Sequence, residues 1–481
     1  MMTQIATVVY ITGIVGLFWL DRDRTLRPSK ALWIPIFWLM IVGSRPLSVW
    51  LNLAPSNPKD VILEGSPIDA FLFMALVATG VLILFRRRKR VGSVLRTNWP
   101  IVLYFSFCLV SVLWSDFPDV AAKRWAKAIG DLVMVLIVVT DLKPTTALMR
   151  LLSRTGFILV PVSVLLIKYY DHFGRAYDVF GMAVNVGVTT NKNSLGVVTL
   201  VLSLGALWRV LVLLRHKGQA DRRRHLLAQG ALLLIGVYLL TLAHSATSGV
   251  CFVLGGGLMV AATLPAIRRR PAALHALVLM ILAGASLVVL FGGNAAVAHA
   301  VGRQSDLTGR TAIWEAVIPL APNSLVGAGF ESFWLGPRLD KMWRLFPVFL
   351  PNEAHNGYIE TYLNLGWVGL ILIALVLVSG YRHITKLLRH DPALCGLMVG
   401  YVAAAAVYSV TEVGFRLLNP MWIFLLLAIV TPGGQWFGVS ENLRKQPVRR
   451  RSPLGFQSKA RVYPNLPETT PRPAVSLGGR N

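Results

Sequence analysis

The sequence predicts an all-α polytopic membrane protein with about 12–13 transmembrane helices and one long extracytoplasmic loop carrying short helices. Three observations carry this expectation. Apolar residues of the AVILMFWYC set make up 55% of the 481 residues and charged residues only 15%, against roughly 25% charged in a soluble domain. A chain this apolar cannot cover its surface with polar groups, so a water-soluble enzyme and a disordered protein are both excluded. Apolar runs close to the length of a bilayer-spanning helix recur along most of the chain. The connections between them alternate between basic and non-basic, as the positive-inside rule requires.

In chain order the runs fall at 4–20, 31–50, 67–85, 99–114, 125–140, 152–170, 193–214, 227–243, 247–265, 272–292, 356–380, 393–412 and 417–431. The first has no basic segment before it and basic residues after it, so it reads as a retained span and not a cleavable signal peptide. The connections 21–30, 86–96, 141–154, 215–225, 268–270 and 382–390, with the tail from residue 444, hold 33 of the 48 Lys and Arg. They mark the cytoplasmic side. The N-terminus is then outside and the C-terminus cytoplasmic, and the number of spans is odd. Most of the net charge of +26 is therefore topology, with contact to anionic membrane lipids as a by-product. No nucleic-acid partner is expected. Cys108, Cys251 and Cys395 all lie inside apolar runs and read as packing residues. The chain divides into N-terminal helices (1–97), central helices (98–293), the long loop (294–354), C-terminal helices (355–431) and a basic tail (432–481) whose composition predicts disorder.

The long loop departs from the pattern of short connections, and ordered loops of that length tend to be functional. It holds Arg303, Arg310, Arg338, Lys341 and Arg344 on the side where basic residues are disfavoured, which points to an anionic ligand; interfacial anchoring is the blander reading. Its aromatics, among them Trp314, Phe330, Phe333, Trp334, Trp343 and Phe346, suit packing on sugar faces. Asp306-Leu307-Thr308-Gly309-Arg310-Thr311-Ala312-Ile313-Trp314 reads as a turn feeding a short helix. Free N–H groups there and the planar fork of Arg310 fit phosphate oxygens. Gly327 and Gly329 mark a tight turn or a close backbone approach.

The loop ends in Pro351-Asn352-Glu353-Ala354-His355-Asn356-Gly357-Tyr358 and runs into an apolar helix. Asn352 is the expected N-cap. His355 then falls in the first turn, where the helix dipole opposes imidazolium formation and favours the neutral ring a general base needs. Tyr358 and Tyr362 share its face, and Glu360 does not. A solvated interfacial histidine is the alternative. Elsewhere, the connection 171–193 holds Arg175 and ends in Thr189-Thr190-Asn191-Lys192-Asn193, and His244, Ser245, Thr247 and Ser248 form a polar outer turn. Arg124, Lys127 and Asp131 share a helical face, so Lys127 is the expected partner of Asp131 inside the membrane. Arg416 is the basic residue of the last outer loop. Asp21-Arg22-Asp23 matches the Asp-x-Asp of metal-dependent sugar transferases but lies in a short cytoplasmic connection. No His/Asp/Glu cluster has metal-ligand spacing and no phosphate-binding loop is present. An enzyme without metal, nucleotide or other cofactor is expected.

Taken together, Leu113-Trp114-Ser115, Asn191-Lys192-Asn193-Ser194-Leu195-Gly196, Ser245-Ala246-Thr247-Ser248, the Thr308-Gly309-Arg310 segment, the Gly327/Gly329 stretch and Ala354-His355-Asn356-Gly357-Tyr358 resemble the O-antigen ligase/O-antigen polymerase superfamily, including exopolysaccharide polymerases of the succinoglycan type. The likeness runs from about residue 100 to 430. It implies inverting glycosyl transfer on the outer leaflet, without metal, from a polyprenyl-diphosphate-linked glycan donor to the hydroxyl of a glycan or lipid-linked glycan acceptor. It also implies working beside other polysaccharide assembly proteins. Carried over, His355 is the base, Arg310 a diphosphate ligand, and Asn356, Tyr358, Thr308 and Gly309 support them. Lys192 and Arg175 fit as further diphosphate ligands less closely. A lipid-linked oligosaccharide flippase and a non-catalytic lipid-diphosphate-binding assembly protein are the rival readings. A flippase should line a midplane path with polar groups, and here they gather at the outer ends of spans.

Overall fold

A computed structural model describes residues 1–23, 28–55, 57–63, 65–178, 181–215, 221–291 and 306–430. These residues are helical almost throughout; the exception in regular structure is a short antiparallel pair, Arg175–Tyr177 with Ala183–Asn185, in which Arg175 faces Asn185. The basic tail and Arg303 lie outside the described residues.

Each of the thirteen apolar runs folds as helix. Among the described residues, seven helices are long and apolar enough to cross a membrane: Met2–Leu20, Pro67–Arg86, Pro144–Tyr169, Lys192–Arg215, Arg222–Ala243, Gly357–Arg389 and Pro392–Thr411. An eighth results if Arg88–Thr97 and Trp99–Trp114, bent by 92°, form one span. Lys30–Val42, Ala246–Ala262 and Pro420–Ile429 are apolar but only 10–17 residues long, and at about 1.5 Å per residue they fall short of a ~30 Å hydrocarbon core. Pro118–Val139 has the length but carries Lys123, Arg124, Lys127 and Asp131. The protein is a multi-pass membrane protein with fewer full-length spans than the apolar runs alone predict.

Burial sorts these helices into an inner and an outer set. The most apolar stretch of Pro392–Thr411 is 94% buried and that of Pro144–Tyr169 78%, whereas Met2–Leu20 is only 6% buried. A helix apolar on all sides and exposed within the fold is one that faces lipid. The central pair, Ala246–Ala262 and Pro392–Thr411, touches through glycines: a Cβ on Gly400 would meet the Gly255 carbonyl oxygen at 3.0 Å, and one on Gly396 the Met259 carbonyl oxygen at 2.9 Å. Small residues let backbones approach this closely where lipid supplies no hydrophobic drive.

Two expectations are corrected, and a discounted motif is given its role. The connection 86–96 is not a loop: Arg88–Thr97 is a helix with Val94 buried and Val91 and Leu95 packed on the core, leaving Arg88 and Lys89 exposed while Arg90 donates to the Thr140 carbonyl. Asp131 does not pair with Lys127. Its carboxylate accepts from the Trp38 indole at 2.8 Å and from the Leu418 backbone N–H at 2.9 Å, because Trp38 and the 412–419 loop reach it first. Asp21, half of the Asp-x-Asp match, is 5% exposed and ties helices together by accepting from Gln229 and contacting His225, both at 3.1 Å, with Arg150 alongside.

The described part of the long loop builds a core of its own. Helices Asp306–Val317 and Gly336–Leu345 enclose Ile313, Val317, Phe333, Trp334, Leu339 and Met342. Phe333 and Trp334 are 0% and 3% exposed, so these aromatics hold the loop together instead of presenting faces to sugars. The Trp314 and Trp343 indoles donate to the Ala354 and Pro351 carbonyls. The glycine stretch is where this body meets the helices. Gly327 has φ +67°, and a Cβ there would stand 2.4 Å from the Asn364 carbonyl carbon. That contact settles near Gly366, where the Gly357–Thr385 helix breaks at φ +63° and the Trp367 and Val368 N–H groups donate to Ser324 and Leu325.

Candidate functional site

The helix that begins after the long loop starts four residues later than the expected cap suggests. Asn356, not Asn352, is the N-cap: its side-chain oxygen accepts from the Tyr358 and Ile359 N–H groups at 2.9 and 3.0 Å, and its amide donates to the Val410 carbonyl. Tyr358 donates its hydroxyl to the Ala406 carbonyl. Both therefore fasten this helix to the end of Pro392–Thr411. Gly357 N–H donates to the Glu412 carbonyl, which brings the 412–419 loop against the segment before the cap.

His355 sits outside the helix, with φ +48°. A left-handed backbone is uncommon for residues other than glycine and persists where its surroundings impose it. Here it turns the ring toward two carboxylates. Nδ1 lies 3.0 Å from Glu353 Oε1 and 3.7 Å from Glu412 Oε2, although neither is aligned as a hydrogen bond. Each carboxylate is also held by a cation. Glu412, 4% exposed, accepts from Arg310 at 2.8 Å and from the Asn193 amide at 3.0 Å; Arg310 also donates to the Thr411 carbonyl. Glu353 accepts from Arg416 at 3.0 Å, and Arg416 Nε stands 3.4 Å from Glu331.

Electrostatics follow from this geometry. Burial disfavours the His355 cation, but Glu353 and Glu412 outweigh it and push the ring up to about 9. Burial likewise opposes the Glu353 charge, yet His355 and Arg416 bring it down to about 2. Arg416 is raised, since Glu331, Glu353 and Glu360 outweigh its desolvation. The neutral resting imidazole expected from a first-turn position is thus replaced by an imidazolium in a carboxylate pair.

A cavity of about 700 Å³ opens beside the cluster. Its polar wall includes Lys192, Asn193, Glu353, His355, Glu412 and Arg416, and its apolar wall includes Val42, Phe73, Val197 and Val198. Of the basic residues and histidines singled out in the sequence, His355, Lys192 and Arg416 line it, and the Lys192 ammonium has no ion-pair partner among the described residues. Arg310 stands behind Glu412 and does not line the cavity. Arg175 pairs with Asp171 at 3.5 Å on the surface; its neighbours Ala176 and Tyr177, not Arg175 itself, line the cavity. Gly309 is exposed with open space around it, and the Thr308 side chain lies outside the described residues. Arg338 is spent on structure, bonding the Phe333 and Ser332 carbonyls and Asp116. Thr247 of the polar turn meets Thr411 at 2.9 Å, next to Glu412.

Glu353 and Glu412 were not singled out in the sequence for a role of their own. Glu353 lay two residues from His355 and was legible as a neighbour; Glu412 is distant in sequence, and only the fold brings it in. Together Glu353, His355 and Glu412 offer ligand atoms within 4.8 Å of one another, among the described residues the one set with metal-ligand spacing. The sequence reading that no such cluster exists is corrected. A metal fits poorly all the same, because Arg310 and Arg416 already neutralise both carboxylates and would stand against a cation.

Comparison with known proteins agrees with the resemblance. A family model described as O-Antigen ligase matches residues 229–374, a span that contains Arg310 and His355. The Exopolysaccharide production protein ExoQ of Rhizobium meliloti (strain 1021) is 25% identical over 369 residues, covering 73% of this chain and 80% of that relative. The likeness to the O-antigen ligase/O-antigen polymerase superfamily holds on both counts.

Proposed function

We propose that this membrane protein, similar to O-antigen ligases and to an exopolysaccharide production protein, is a metal-independent inverting glycosyltransferase of polysaccharide assembly. It works at the outer leaflet of the bacterial inner membrane and moves a glycan from a polyprenyl diphosphate to an acceptor sugar hydroxyl. The observation that carries this reading is His355, held by Glu353 and Glu412 at the wall of a cavity that also presents Lys192 and Arg416. A carboxylate beside Nδ1 leaves Nε2 as the free ring nitrogen, the division of labour of a carboxylate-oriented base. The acceptor oxygen attacks the anomeric carbon and gives its proton to Nε2 as the carbon–oxygen bond to the diphosphate breaks. Lys192 and Arg416 take up the charge of the leaving diphosphate, and the apolar wall receives the first units of the polyprenyl chain. Arg310 acts through Glu412.

The raised ring favours a second assignment of His355 within the same reaction. As a resting imidazolium it would itself bind the diphosphate and would not need to lose its proton. Purified protein with a lipid-diphosphate donor and a sugar acceptor tests the whole reading. His355→Ala is expected to lower transfer by about 10²–10⁴-fold while donor binding survives, and Arg310→Ala to lower transfer by disordering Glu412. EDTA is expected to leave the rate unchanged. Turnover by His355→Ala at the wild-type rate, or strict dependence on added Mg²⁺, would overturn it. A flippase would instead move labelled donor across vesicles with no acceptor present.

A further inference from the structure

Glu360 is a buried acid that the reaction proposed above does not use. It stands in the first turn of the helix that follows His355 and is 4% exposed. Three donors meet its carboxylate. The Trp334 indole reaches Oε1 at 2.9 Å and Oε2 at 3.0 Å, the Ala354 N–H reaches Oε2 at 2.9 Å, and the Asn364 amide reaches Oε1 at 3.1 Å. All three donors are neutral. Arg416 and Glu331 act on the carboxylate from nearby with opposite signs, and neither forms an ion pair with it among the described residues. Both oxygens are thus occupied as acceptors, which a carboxylate can supply and a side-chain amide can supply only at one atom.

One of these donors adjoins His355. The Ala354 N–H belongs to the peptide between Glu353 and Ala354. The next peptide, between Ala354 and His355, is held at its carbonyl by the Trp314 indole at 2.7 Å. Ala354 is fully buried, which keeps bulk solvent from taking the place of either partner. On the far side of His355, Asn356 caps the helix and bonds the Val410 carbonyl, and the Gly357 N–H reaches the Glu412 carbonyl. His355 therefore lies between two fixed ends. A histidine keeps a φ of +48° only where its surroundings over-determine it, and Glu360 supplies one of those constraints. Glu360 does not itself line the His355 cavity, so it reaches substrate only through its neighbours.

We infer that Glu360 is a positioning residue for His355: by holding the Ala354 N–H it fixes the left-handed turn that sets the imidazole between Glu353 and Glu412. The inference rests on the reading of His355 as a residue that acts on substrate. Because the same carboxylate takes the Trp334 indole, the core of the long loop and the His355 turn are joined at one group.

Purified Glu360→Gln with donor and acceptor tests it. With one accepting oxygen lost, kcat is expected to fall about 10–100-fold, the cost of a displaced group, while KM for the donor stays as in wild type. In the pH–rate profile the ionisation of His355 is expected to move from about 9 toward 6.5, as the ring leaves its two carboxylates. Trp314→Phe frees the other peptide beside Ala354 and is expected to move it the same way; it carries the test if Glu360→Gln does not fold. Trp334→Phe removes a donor from Glu360 but leaves the Ala354 N–H bonded, so it is expected to lower the unfolding midpoint and leave the ionisation near 9. An ionisation that stays put in Glu360→Gln or in Trp314→Phe, or that moves as far in Trp334→Phe, would overturn the inference. The reading of His355 fails separately, if His355→Ala keeps the wild-type rate.

Discussion

At the scale of residues, His355 shows how the fold reverses an expectation drawn from local sequence. A first-turn position would have kept the ring neutral; a left-handed residue before the cap faces it with two carboxylates and leaves it charged near neutral pH. If Nε2 is the base, kcat/KM climbs with pH and levels off only above about 9, because the protonated ring must first be emptied. If the imidazolium binds diphosphate, the same limb falls through that pH. Glu353→Gln removes one of the supporting charges, so in either case the limb is expected to move down toward 6.5, the ordinary histidine value. A pH–rate profile of wild type and variant reads both the direction and the shift; a limb that stays put would remove Glu353 from the account. The same linkage acts on stability. A ring raised from 6.5 to about 9 contributes stability that is present in full below 6.5 and lost as pH rises through 9, whereas Glu353, lowered from 4.5 to about 2, contributes above 4.5 and loses it as pH falls through 2.

At the scale of elements, apolar runs located the long apolar helices, because the length of an apolar run is a local property, and missed the basic helix Arg88–Thr97. Which helices lie inside was not legible, since inner and outer helices are equally apolar in a lipid environment. The glycines carry that information only in pairs. Gly400 and Gly255 lie on helices far apart in sequence, and their approach is visible only when each backbone is seen to occupy the space of the other's missing Cβ. Gly400→Leu is therefore expected to destabilise the protein by about 1–3 kcal/mol, read as a lower unfolding midpoint in detergent, while Gly257→Leu on the Ala246–Ala262 helix, with open space at its Cβ, is expected to leave the midpoint unchanged. Equal effects at the two positions would mean that close approach is not what holds this pair. The loop aromatics make the complementary point. Composition showed that the long loop was rich in Trp and Phe, but whether they face ligand or core depends on packing between Asp306–Val317 and Gly336–Leu345, and burial decided for the core.

At the scale of the molecule, the site is assembled from three places in the chain: the outer loop (Arg310, Glu353, His355), the mouth of one helix (Lys192, Asn193) and the 412–419 loop (Glu412, Arg416). Sequence supplied Arg310 because a basic residue there breaks the positive-inside pattern, and His355 and Lys192 through the helix start and the family resemblance; it could not supply Glu412, because an acid in an outer loop breaks no rule. The same pattern makes orientation testable. The three native cysteines are buried, so they give little background to a thiol reagent. Gly309 is exposed with no atom near its Cβ, on the side of Arg310 and His355; Leu142 is 75% exposed, in a connection assigned to the cytoplasm by its basic residues. A membrane-impermeant maleimide is expected to label Gly309→Cys on intact spheroplasts and Leu142→Cys only after lysis. The reverse pattern would put His355 in the cytoplasm and would overturn the outer-leaflet reaction proposed above.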